Sequence, residues 1–126
     1  MGSEHHLLAG LRGSEITAIA TARDGTLYVG IANHVVAVNK SGQLRWRYDL
    51  GQDDEIESIL VGGSGTVYEL GWDTFSPGSA GFIDALTPDG ERVWWDTVTD
   101  GFQEGMLGND GSVYAHTEST LYHYRG

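Results

Sequence analysis

DGTLYV (24–29), SGTVYE (64–69) and DGSVYA (110–115) are one phrase written three times. Its glycines stand at Gly25, Gly65 and Gly111, its tyrosines at Tyr28, Tyr68 and Tyr114. A phrase returning at this period marks one structural unit copied along the chain. Gly or Asp before an apolar run suits a tight hairpin turn, because these residues tolerate positive φ. The Tyr then falls on the strand that leaves the turn.

Working outward, each copy sits in the same frame. A short apolar run precedes the turn at 16–21, 56–61 and 102–107. A third strand follows at 34–38, 82–86 and 120–124. Two copies show a second turn, Lys40-Ser41-Gly42 and Pro88-Asp89-Gly90, and then a Trp-bearing strand at 44–49 and 92–98, with Trp46 and Trp94 in register. The unit reads as a four-stranded antiparallel meander. No segment carries the i, i+3, i+4 stripe of a helix. Several strands are apolar on both faces, so each sheet is expected to lie between neighbouring sheets. Four-stranded sheets packed face to face around an axis make a β-propeller.

The boundaries expected are one domain over 1–126, with blades at 16–50, 56–98 and 102–126. The third blade lacks its last strand, and residues 5–11 are expected to supply it from the N-terminus. Unit two is longer than unit one because extra residues lie between its second and third strands, around Trp72-Asp73-Thr74-Phe75.

With 18 acidic against 7 basic residues the formal net charge is −11. That argues against nucleic acid or an anionic membrane as partner, since both demand a basic face. There is no cysteine, so disulfides, thiolate nucleophiles and Cys-bound metals are excluded. No apolar stretch approaches a membrane span.

The run of phrases DGTLYV (24–29), VVAVNKSG (35–42) and LRWRYDL (44–50) resembles the PQQ-like, quinoprotein-type β-propeller repeat. The resemblance covers nearly the whole chain. It implies that Trp46 and Trp94 dock each blade against the next. Some members of that family bind pyrroloquinoline quinone and oxidise alcohols or sugars. Many others bind no cofactor and serve as protein-interaction scaffolds, one of them in outer-membrane protein assembly. The enzymes carry more blades, a calcium site and often a vicinal disulfide. Three units without cysteine point to a cofactor-free, non-catalytic member.

Three blades leave two sheet faces open. Head-to-tail association hides both if it closes a ring. Two chains make six blades, within the usual range of about 4–8, so a homodimeric ring is expected. An engineered or excised piece of a longer propeller is the rival account.

Connections between strands four and one, and between strands two and three, emerge on one face, where binding residues concentrate. That face is expected to gather Asp53 and Asp54, then Trp72, Asp73 and Phe75, then Asp100. Trp95, beside Trp94, breaks the alternation of its strand. Such aromatics would suit a protein or glycan partner, so a lectin-like propeller is the alternative. No Ser-His-Asp arrangement or metal motif is present, and no catalytic residue is expected.

Overall fold

The computed structural model describes residues 15–73 and 80–125. Every element in it is a strand. Strands β1 (Ile16–Thr21), β2 (Leu27–Ile31), β3 (His34–Val38) and β4 (Leu44–Asp49) form the first sheet, in chain order and antiparallel. The second sheet is β5 (Asp54–Val61), β6 (Val67–Asp73), β7 (Ala80–Leu86) and β8 (Arg92–Val98). The third is β9 (Glu104–Leu107), β10 (Val113–His116) and β11 (Leu121–Tyr124). Its fourth strand, expected from residues 5–11, falls outside the described residues.

Each repeated phrase folds as a turn closed by its own glycine. Gly25, Gly65 and Gly111 have φ of 90°, 94° and 85°, in the left-handed region that a side chain makes costly. Asp24 accepts a hydrogen bond from the Thr26 amide at 2.9 Å, and Asp110 one from the Ser112 amide at 3.0 Å. These bonds hold both Asp carboxyls below their usual range. The β2–β3 turn is different. Ala32 sits there at φ 56°, strained for a residue with a Cβ. Ala32→Gly should therefore raise stability by about 1 kcal/mol. Chemical unfolding checks this, and an unchanged midpoint would show that the turn carries no strain.

Blade packing follows from the two faces of each strand. Tyr28, Val35 and Ala37 of the first sheet meet Ile56, Val67, Phe82 and Leu86 of the second in one core. Tyr68, Leu70, Ile83 and Ala85, on the second sheet's other face, meet Phe102, Val113 and Ala115 of the third. The middle sheet is thus buried on both faces, as its apolar strands require. A separate cluster of Val29, Ile31, Val36 and Val38 lies on the first sheet's opposite face. Strand β1 packs on β5, and β5 on β9, so the first strands of successive sheets lie together.

The two tryptophans tie blade to blade. Trp46 sits 5.7 Å from the Tyr28 ring and donates Nε1–H to the Pro88 carbonyl of the second sheet at 2.8 Å. Gly90 (φ 90°) lies against its indole, and a Cβ there would come within 2.7 Å of Trp46 Cδ2. Trp94 sits 6.0 Å from Tyr68 and stacks on Tyr124 of the third sheet at 5.6 Å.

Three segments differ from expectation. Asp54 and Glu55 belong to β5, not to an acidic loop, and Trp72 and Asp73 belong to β6, not to an inserted loop. The cause is pairing: Asp54 lies opposite Asp73 and Glu55 opposite Trp72, so the antiparallel ladder runs on into the longer unit. Phe102 precedes β9 instead of opening it, and is buried in the second core.

Candidate functional site

Side chains alternate faces along a strand, and residues directly opposite in a ladder share a face. Glu69 of β6 is opposite Asp84 of β7, which is opposite Trp95 of β8. These three form a row across the second sheet. The row lies on the face carrying Val67, Phe82 and Leu86, which packs against the first sheet. Its inner end is closed and its outer end open. Glu69 is 0% exposed, Asp84 4% and Trp95 59%.

Where β4 of the first sheet faces β7 and β8, a cleft of about 490 Å³ opens between the blades. Tyr48 and Leu50 form one wall, and Phe82, Asp84, Arg92 and Trp95 the other. The Arg92 guanidinium lies 3.8 Å over the Trp95 ring. Its Nη1 is 3.4 Å from Asp84 Oδ1. Burial raises the Asp84 carboxyl to about 6, against the pull of Arg92. Burial, with the neighbouring Asp84 charge, drives Glu69 well above the usual carboxylate range. Burial chiefly also raises the Tyr48 phenol. Neither carboxylate oxygen of Glu69 meets a hydrogen-bond partner.

The cleft rim is acidic. Asp54 accepts from the Gly51 amide at 3.0 Å, and its carboxyl is raised chiefly by burial. Asp73 lies opposite it in the ladder and lines the same cleft. Asp96 accepts the Tyr124 hydroxyl at 2.8 Å. A smaller hollow of about 330 Å³ lies beside the third sheet, lined by Glu57, Trp72, Gly101, Phe102 and Gln103.

The structure thus brings Asp54, Asp73 and Trp95 to one cleft and sends Trp72 to another hollow. Asp53 stands in the turn before β5, and Asp100 in the bend after β8 at φ 90°. Phe75 falls outside the described residues. Backbone hydrogen bonds tie the chain together at this end: Leu50 N–H donates to the Asn33 carbonyl within the first blade, while Ile56 N–H to that of Ala32 and Phe102 N–H to that of Gly71 join neighbouring blades. Sequence reading missed Glu69 and Asp84. The signal lay in the repeat itself, because Val29 and Ala115 hold the place of Glu69 in the sister phrases.

Three antiparallel sheets stacked in this way define a segment of a β-propeller. The family model described as Outer membrane protein assembly factor BamB matches residues 32–124. The chain belongs to that family of PQQ-like propellers. No curated protein sequence gives a significant match. Among solved structures it is similar to the WD40 β-propeller domain of Doa1, at 14% identity and TM-score 0.73, over 90% of this chain and 37% of that one. A virginiamycin B lyase from Staphylococcus aureus aligns at 12% identity and TM-score 0.67, over 95% and 44%. A protein of unknown function from Bacteroides caccae aligns at 11% identity and TM-score 0.68, over 90% and 43%. The chain spans less than half the length of these propellers, and identities this low speak for the fold alone.

Proposed function

We propose that this chain is a non-catalytic propeller module that closes a ring by pairing with a second copy and offers its inter-blade surfaces for binding. The observation that carries the reading is the open outer face of the third sheet, together with exposed apolar residues on the edge strands of the first. On the first sheet, Val29, Ile31, Val36 and Val38 are buried on the outer face, while Ile19 and Leu44 of the two edge strands beside them point away from the second sheet, at 66% and 53% exposure. On the third, Met106 and Leu121 do the same, at 63% and 72%, around a stacked Tyr114–His123 pair. Tyr114 holds the place from which Tyr28 and Tyr68 pack against the next blade. Apolar faces of this kind mark association surfaces, and head-to-tail association buries both at once.

Light scattering on a sizing column should give twice the 13.6 kDa chain mass. Leu121→Asp should shift that mass to the monomer while leaving the β-sheet circular dichroism unchanged. A wild-type monomer at micromolar concentration would refute ring closure by two copies.

A further inference from the structure

The Glu69–Asp84 pair is where the second blade departs from its sisters. The same cross-strand positions hold Val29 and Val36 in the first sheet and Ala115 and Tyr122 in the third. In the third sheet this apolar pair packs against the second blade, so blade packing at this place needs no carboxylate. A buried carboxylate without a donor is costly, and departures of this kind from a local rule concentrate at functional sites.

Two carboxylates face one cation. Glu69 has no hydrogen-bond partner on either oxygen. Asp84 meets Arg92 at 3.4 Å, longer than the about 2.7–2.9 Å of a strong charge-assisted bond. Other cleft acids are engaged: Asp49 with Arg47 at 2.7 Å, Asp54 with the Gly51 amide, Asp96 with Tyr124. Arg92 also displays what the wall accepts, a guanidinium flat over the Trp95 ring and beside a carboxylate.

We infer that the cleft between the first two blades binds an organic cation, a guanidinium or primary ammonium on an apolar stem. Asp84 is its ion-pairing group, Glu69 the second carboxylate behind it, and Tyr48 and Trp95 the walls along the stem. The cleft volume of about 490 Å³ lies within the about 300–1,000 Å³ of small-ligand sites. Among the described residues no group of three potential metal ligands converges, whereas aromatic walls beside carboxylates suit a cation that brings its own N–H donors. The inference rests on reading the inter-blade surfaces as binding surfaces. It does not need ring closure, since one chain supplies every residue.

The test is calorimetric titration of the full chain with butylguanidinium, butylammonium and N-acetyl-arginine amide at matched salt. One site per chain is expected for butylguanidinium or butylammonium. Asp84→Asn and Glu69→Gln should each weaken it about tenfold or more, the scale of a lost charged hydrogen bond. Asp24→Asn, in an exposed turn, should leave it unchanged. The double variant Glu69→Val/Asp84→Val copies the first blade's pair and so keeps the fold; it should bind nothing. Binding of N-acetyl-arginine amide as tight as that of butylguanidinium would point to a partner's side chain as the source, and weaker binding to a free cation. Absence of binding by both simple cations, or equal binding by the double variant, would overturn the inference. The solution mass is read separately, so either reading can fail alone.

Discussion

Glu69→Val/Asp84→Val should stabilise the protein at neutral pH by about 3 kcal/mol or more and remove much of its pH dependence. The figure comes from Asp84, whose carboxyl rises from 3.8 to about 6, at about 1.4 kcal/mol per pKa unit. Glu69 adds in the same direction. The sign follows from proton binding. Both groups hold their protons more tightly in the folded chain than in the unfolded one. Below the unfolded values both states are protonated and the pair costs little. As pH rises from about 4 through 6, the unfolded chain ionises freely while the folded one resists, and stability falls. Asp54, also raised, acts the same way. Asp24 and Asp110 are lowered, so their contribution is lost only as pH falls below the ordinary carboxylate range. Wild-type stability should therefore decline between pH 4.5 and 7.5, and the double variant should decline much less. Arg92 loses a partner in that variant, but it reaches solvent and keeps the Trp95 ring. Urea unfolding at the two pH values decides it. A wild type more stable at pH 7.5 than at 4.5 would contradict the account.

Trp46→Ala should cost about 3 kcal/mol, in the range for removing a packed aromatic. The loss has three parts: contact with Tyr28, contact with Gly90 and the hydrogen bond to Pro88. The last two cross from the first blade to the second, so the substitution loosens the joint between blades. Trp95→Ala is the internal comparison. Its indole is 59% exposed and lies beneath the Arg92 guanidinium, and its loss should cost below about 1 kcal/mol. Equal costs for the two tryptophans would show that Trp46 does not dock the blades.

The hairpin turns were legible because a positive φ selects glycine locally, as at Gly25, Gly65 and Gly111. The strands were legible because the alternation of apolar residues has a fixed period, and β1, β3, β4 and β8 have the bounds read from it. The site was less so. Trp72 and Asp73 read as loop because they have no counterpart in unit one, yet extra residues can either bulge out or lengthen a hairpin. Which occurs depends on whether the opposite strand offers partners, and here Asp54 and Glu55 do. Glu69 stood in the repeated phrase from the start, in the place of Val29, but its meaning required knowing that Asp84 lies across from it.

Local backbone preference and side-chain period thus settled the repeat, the turns, the sheet order and the aromatic register from the chain alone, because each depends on neighbours within a few residues. The tertiary structure decided the rest: which face of β6 meets the first blade, that two acids are buried side by side there, and that Asp54, Asp73 and Trp95 share a cleft while Trp72 does not. Those facts depend on pairing and packing between distant segments. Burial, and with it the cost of a carboxylate, is a property of the assembled sheets and of no single stretch.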